Sequence, residues 1–429
     1  MKISFGKSVI SPEIGTCVAG YGPRDESVCK LDDLYVTALA LDDGAKKGVI
    51  LGFDLLGIDE AYIERIRQAC AKAFGGQEEQ VILSCTHTHT GPHTRSIVTR
   101  PDALETAYLE TLIAQTAALV ESLMAQPWID VDAYFYSLSC DANRNRRFVT
   151  GNNACSFLPH RRDMERIADG FADKEMGGLF FMRRDNGQPA YVIGNYAAHP
   201  LAGHCPGVGG HRISADYPGV FRKYIEEETG AGCMFLSGAC GDMVPKGDET
   251  GRAAIEAVGV QLAQATLAGM IIATRDKEHY RLREETLQFG FKQATAPVRD
   301  FRKPRLSPNY AGRTEMTLPV QLFSIGDVCL VGVPGELVAE LGQEIKWHSP
   351  FRKTFILYCS TAYMDYLCHG NALVAGGYEG REQYTDSHTG LKLVNAAVEG
   401  AYELYARTYP DVSKWPESSE PPLVSLVNA

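Results

Sequence analysis

An apolar run that stops on histidine constrains this chain more than any other feature. Val81-Ile82-Leu83-Ser84-Cys85 carries no charge, and Gly91-Pro92 ends the segment abruptly. Such a run reads as a short buried strand, which needs covering layers on both of its faces. Between the run and its stop lie His87 and His89. Two residues apart on an extended backbone, they project from the same face, so one small object can meet both imidazoles. Neutral imidazole is a common metal ligand. A pair satisfied by the core or by solvent is the competing reading, and the pair alone does not decide between them.

The same pattern recurs along the chain. Buried-strand segments are expected at 34–41, 48–53, 128–139, 178–182, 190–196, 233–236 and 354–359, with three more β-like stretches between His279 and Val333. Helical spacing of apolar residues marks 60–74, 102–126, 252–267 and 390–405, with further helices running to Thr229 and following Glu336. There is no repeat and no low-complexity linker, so the 429 residues are expected to form one α/β domain: a mixed β-sheet core with flanking helices. His87, His199, Asp242 and Glu336 each fall at or just past the C-terminal end of an expected strand. Ligand sites in α/β sheets form in the crevice outside those ends, and a metal site is expected there.

Charge and composition narrow the function. A net charge of −11 argues against a nucleic-acid partner, which needs a basic face. No stretch reaches the roughly 18 consecutive apolar residues of a membrane span, and the N-terminal segment lacks the apolar core of a secretory signal. The 12 cysteines show no CxxC or framework spacing, as in a reduced protein without disulfides. The expectation is a cytoplasmic protein with a small-molecule substrate and no membrane insertion; a homo-oligomer is compatible with the sequence.

Six motifs taken together, CTHTHTGP (85–92), NYAAHP (195–200), ISADYPG (213–219), a Gly-Asp-x-x-Pro loop (241–245), VPGE (333–336) and AYMDY (362–366), followed by Tyr378-Glu379, resemble the neutral/alkaline (non-lysosomal) ceramidase family. The resemblance runs from about residue 3 to about residue 400 in the same motif order. It implies a catalytic zinc held by His87, His199, Glu336 and Tyr366, with His89 facing the bound substrate or its oxyanion. It also implies that Arg144, in Ala142-Asn143-Arg144, lines the substrate pocket. A two-imidazole, one-carboxylate set with an open position is a catalytic rather than a structural zinc site, although such donors also take iron or manganese. Of the competing tyrosines only motif position selects Tyr366; Tyr363 is expected in the core or the substrate pocket.

The departures from the family pattern matter as much as the matches. Where ceramidases carry a nucleophilic serine, this loop has Val244, which cannot carry an acyl group. Ser237 and Cys240 lie in the same loop but have no evident base beside them. The family's C-terminal immunoglobulin-like domain has no counterpart, so residues 1–429 are expected to be a single ceramidase-like catalytic domain. The leading expectation is a zinc-dependent hydrolase, not a true ceramidase, that cleaves an amide-type bond in a soluble polar substrate by metal-activated water. The alternatives are a metal-dependent hydrolase or lyase acting on a sugar or other polyhydroxylated anion, and a non-catalytic metal-bearing scaffold. Asp242 is expected to face the site as a catalytic group, and His93, His204 and Tyr363 to contact substrate. The loop arginines Arg144, Arg146 and Arg147 read equally as pocket or solvated surface, and Asp216 as a helix cap or an orienter of a ligand histidine.

Overall fold

Three β–α–β units, each closing a parallel strand pair, set the architecture. The computed structural model describes residues 1–20, 26–96, 104–149, 155–157, 170–203, 212–247, 251–299 and 312–411. The large sheet comprises β1 (Lys2–Val9), β2 (Tyr35–Asp42), β3 (Lys47–Phe53), β4 (Val81–Cys85), β5 (Ile129–Ser139), β6 (Glu175–Arg183), β7 (Pro189–Tyr196) and β8 (Gly232–Ser237), in the order β8-β7-β6-β5-β1-β2-β3-β4. A second sheet holds β9 (Leu287–Pro297), β10 (Glu315–Ile325), β11 (Val328–Gly332) and β12 (Lys353–Leu357), in sequence order. Neighbours within these two sheets run antiparallel except β3–β4, β7–β8 and β11–β12. A parallel pair needs a crossover, supplied by α1 (Glu60–Phe74), α3 (Tyr217–Thr229) and α5 (Ala339–His348). The remaining long helices are α2 (Thr106–Ala125), α4 (Gly251–Arg275) and α6 (Thr389–Thr408).

The period-2 alternation of side chains sorts the core into layers. Leu39, Ile50, Ile82 and Ile193 of the large sheet meet Phe323, Leu330 and Phe355 of the small sheet in one buried cluster. Their neighbours Val36, Val49 and Val81 point the other way, into a cluster under α1 and α2. Phe180, Val192 and Phe235 pack against α3 and α4, while Leu322, Val331 and Ile356 pack against α5 and α6. The result is helix, sheet, sheet, helix. It agrees with the expected mixed sheet flanked by helices, and two covered faces explain why these strands carry near-continuous apolar runs.

Helix boundaries moved where capping was weak. Of the helix expected over 102–126, residues 104 and 105 are not helical: α2 begins at Thr106, with no side-chain cap on Glu105. α4 extends well past the expected end at 267. By length and composition it is apolar enough to cross a membrane, which the scan for unbroken apolar runs misses. Its small residues let it approach closely: a Cβ at Gly269 would lie 2.8 Å from the Tyr136 ring, and one at Gly259 2.6 Å from Val220.

The C-terminal ends of the three parallel pairs are stitched together. Ser84 at the end of β4 donates its hydroxyl to the Tyr358 carbonyl (2.9 Å), just past β12. Ser237 at the end of β8 donates to the Thr86 carbonyl (2.7 Å) and accepts from the Tyr358 N–H (3.0 Å) at its own carbonyl.

Another tie fixes the third unit to the large sheet. Glu175 on β6 meets Lys346 of α5 (3.0 Å) and Lys353 of β12. Burial disfavours its charge, but the two ammonium groups prevail and hold the carboxyl at about 2, against an ordinary 4.5. A depressed folded-state value stabilises the protein above the unfolded value and is lost as pH falls through the folded one. Glu175→Gln is therefore expected to cost about 3 kcal/mol near neutrality. In urea unfolding, its difference from the parent chain should shrink between pH ~4.5 and ~2.

Candidate metal centre

Loops leaving the three stitched strand ends deliver the polar side chains to one point. After β4 the chain turns through His87, a non-glycine residue at φ 70°. Its backbone N–H donates to the Leu55 carbonyl (2.8 Å) and its ring Nδ1 lies 2.6 Å from the Leu56 carbonyl. After β7, His199 sets Nδ1 2.6 Å from the Cys240 carbonyl and 3.1 Å from that of Met243. A carbonyl only accepts, so in both rings Nδ1 carries the proton and Nε2 presents a lone pair. Both Nε2 atoms face Oε2 of Glu336, His87 at 3.4 Å and His199 at 3.2 Å.

Glu336 arrives beyond β11, where the two-residue strand Glu336–Leu337 pairs in parallel with Tyr366–Leu367. The Tyr358 hydroxyl donates to its Oε2 (3.1 Å) and that of Tyr363 to its Oε1. Tyr363 also stacks on His87, with ring centroids 6.3 Å apart and planes at 11°. Gly57 makes room for that ring, since a Cβ there would sit 2.2 Å from it. The third histidine, His89, places Nδ1 3.2 Å from the Gly20 carbonyl. The ligating atoms of His87, His89 and His199 all lie within 4.8 Å of one another, close enough to hold a metal ion.

The electrostatics suit a cation. Burial pushes His199 down to about 4 and His89 well below its usual range, keeping both neutral, the form that ligates. Burial works against the charge of Glu336 too; protonated imidazoles facing it would outweigh burial and hold the carboxyl well below the ordinary range, and beside neutral rings a cation takes that part. Two lone pairs and a carboxylate therefore converge in a water-poor pocket. Such an arrangement is resolved by a positive charge among them, and the donor set fits a divalent ion.

Other anticipated residues take different places. The Tyr366 hydroxyl accepts from Arg146 Nη2 (2.8 Å), which also donates to the Gly241 carbonyl, while Arg146 Nε donates to Glu379 (2.7 Å). Asp242, expected to face the site, has both oxygens engaged by the frame: Oδ1 accepts from the Ala339 N–H at the start of α5 (2.8 Å) and Oδ2 from Asn145 (2.7 Å). Arg144 is buried on the three-residue strand Asn143–Asn145, where its register partner is Val244. His93 is buried beside the entry to α2, its carbonyl accepting from the Glu105 N–H. His204 lies outside the described residues. Asp216 acts as the helix cap considered for it, while the His199 ring is oriented by the Cys240 and Met243 carbonyls. It caps α3 at Tyr217 and accepts from the Ala202 and Gly203 N–H groups just after His199.

Neither substitute nucleophile is poised to react. The Ser237 hydroxyl is spent on the Thr86 carbonyl, and burial pushes the Cys240 thiol well up. Sequence reasoning missed Tyr358, whose place at the end of an apolar strand read as core. It also missed Glu379 as the anchor of Arg146, and the Leu56 and Cys240 carbonyls that set the tautomers. Backbone acceptors leave no trace in a sequence.

An α/β/β/α protein with a buried centre of imidazoles and one carboxylate is thus the class that fold and site define. No protein-family model matches the chain, and no curated protein is similar to it in sequence. Among solved structures it is similar to neutral ceramidase from Pseudomonas aeruginosa, with a TM-score of 0.79 at 18% identity over 95% of this chain and 74% of that one. It is also similar to a ceramidase complexed with C2, with a TM-score of 0.77 at 17% identity over 95% of this chain and 75% of that one. The fold is that of the neutral ceramidases.

Two outcomes test this geometry. Equilibrium dialysis of the full chain against Zn(II), read by elemental analysis, should show one tightly bound ion, weakened roughly a hundredfold or more by His87→Ala or His199→Ala. Asp242→Ala should leave buried donors on Ala339 and Asn145 unpaired, costing about 2–4 kcal/mol in denaturant unfolding.

Proposed function

We propose that this protein is a metal-dependent hydrolase that cleaves an amide-type bond in a soluble polar substrate, with water as the nucleophile. The observation that carries the reading is the convergence of the His87 and His199 Nε2 atoms on Glu336, each ring locked by a carbonyl behind it. A zinc ion held by His87, His199 and Glu336 would polarise the scissile carbonyl and bring the pKa of bound water to about 7.

The chain's own groups would do the rest. With Nδ1 turned to the Gly20 carbonyl, neutral His89 presents Nε2 as an acceptor. It can take a proton from the attacking water, hold that proton as a hydrogen bond to the developing oxyanion, and then transfer it to the departing nitrogen as the C–N bond breaks. Glu336 is held in place by the Tyr358 and Tyr363 hydroxyls, which donate to its two oxygens. Tyr366 is anchored by Arg146, so its oxygen is turned toward that guanidinium. This favours a role in shaping the pocket over the direct ligation that family motif position suggests. Arg144 would position the polar part of the substrate. With valine at 244, and Ser237 and Cys240 otherwise committed, no acyl-enzyme is required.

The test is a panel of short N-acyl amino acids and N-acyl amines offered to the zinc-loaded chain. Turnover is expected on some member, reduced about a thousandfold or more in His199→Ala and about a hundredfold in His89→Asn. One solvent oxygen should enter the acid product, and intact-mass analysis should find no acylated protein. An acyl adduct on Ser237 or Cys240, ceramide cleavage as fast as the best soluble amide, or turnover of glycosides alone would overturn the proposal.

A further inference from the structure

Away from the metal centre, α3, α4, the trailing end of β1 and the leading end of β2 border a half-open cavity of about 520 Å³ that none of the centre's ligating side chains lines. That volume falls within the range of small-molecule sites. Leu31, Val220 and Ile255 supply apolar wall, and Tyr35 contributes an aromatic ring.

The charges around the cavity are nearly all spoken for. Lys7 pairs with Glu226 (2.6 Å), Arg252 with Glu256 (2.8 Å) and Lys223 with Glu227 (3.7 Å). Arg222, buried on the floor, grips Asp54 through both terminal nitrogens. Asp33 takes Lys30 and the Ser11 hydroxyl. Asp32 differs from its neighbours. Its carboxylate accepts only from neutral donors, the Ser214 hydroxyl (2.6 Å) and the Ala215 N–H (2.7 Å), and no basic side chain among the described residues forms an ion pair with it. Burial raises its carboxyl accordingly. A half-buried anion with two neutral donors on one side and, on the other, a cavity with apolar wall at Leu31, Val220 and Ile255 among charges paired with one another recognises a cation. The Tyr35 ring face already attracts positive groups, with Lys7 5.0 Å and Arg222 5.8 Å from its centroid.

Two short bonded paths run from this floor to the histidine loop. Asp32 holds Ser214, whose carbonyl accepts from the hydroxyls of Thr88 (2.7 Å) and Thr90 (2.8 Å), the residues on either side of His89. Arg222 holds Asp54, which accepts from the Thr86 hydroxyl next to His87 (3.4 Å). From this arrangement we infer that the cavity is a second small-molecule site, for an organic ammonium ion with a short apolar arm seated on Asp32, and that its occupancy is felt by the 86–90 loop.

The probe is n-hexylamine, with hexanol and hexanoate as neutral and anionic controls of equal length, titrated calorimetrically into the full chain. Hexylamine is expected to bind one site at least tenfold more tightly than either control. Asp32→Asn, which keeps the shape and removes the charge, should abolish that preference. Leu31→Trp, at a partly exposed wall position that does not threaten folding, should weaken binding by filling the space. Bound amine should also slow hydrogen exchange of the backbone amides in 86–90. Equal binding of amine and alcohol, or amine binding unchanged in Asp32→Asn because the amine sits at the metal instead, overturns the site. Binding with unchanged exchange overturns its connection to the loop.

Discussion

Three strand ends held against one another are the constraint on which the rest of the molecule depends. Each belongs to a different β–α–β unit, and each is too short to reach the centre with its own side chains. Ser84, Ser237 and the Tyr358 backbone, bonded across the gap, keep the ends in register, and the Asn195 amide adds bonds to the Leu236 and Ile356 carbonyls. Both serines are fully buried, where a hydroxyl without a partner would cost on the order of 1–3 kcal/mol. The carbonyls they meet, on Thr86 and Tyr358, lie one residue past the ends of β4 and β12, whose ladders fix where those residues emerge. A sheet of antiparallel strands alone would scatter its loops to both edges. The parallel pairs send theirs the same way.

What the stitched ends hold is electrostatically unfavourable in isolation. Two Nε2 lone pairs and a carboxylate point at one another, and the backbone bends to make them do so. Among the described residues, the non-glycine ones with positive φ are His87, Asp216, Cys359 and Asp365. Every one lies in a loop that carries or braces the centre. Strain of this kind costs of order 1–3 kcal/mol per residue and persists only where surrounding structure over-determines it. Tyr358 and Tyr363 perform that service for Glu336, and the Leu56 and Cys240 carbonyls perform it for the imidazoles.

Much of this was legible before the structure. Alternation and apolar runs locate most strands of both sheets, because a face buried against a second sheet admits little else. The polar residues just beyond those runs are where the histidines and Glu336 meet. β1 was not legible: its sequence, KISFGKSV, is mixed, with several half-exposed positions, and it is a strand because β2 and β5 pair with it. Asp242 misled for a physical reason. A Gly-flanked acid at a strand end is equally suited to facing a ligand or to receiving the free N–H of the next helix, and α5 begins where Asp242 can reach it. Tyr363 and Tyr366 are separated in role only by which hydroxyl meets Glu336 and which meets Arg146. That choice is made by neighbours far away in the chain.

The spread of the centre along the chain has a consequence for how the protein matures. His87, His199 and Glu336 come from three crossover units, and no two of them are near neighbours in sequence. A nascent chain that has completed its first unit holds one imidazole with its tautomer already set by Leu56. Beside it stands only His89, two residues on; His199 and Glu336 join when the second and third units dock. High affinity for the proposed ion would therefore be a property of the finished tertiary structure, acquired late and all at once. An ion bound there stabilises the assembled state by mass action and does little for any partly folded one. Metal uptake would then serve the cell as a proofreading step, retaining molecules whose three units have joined correctly.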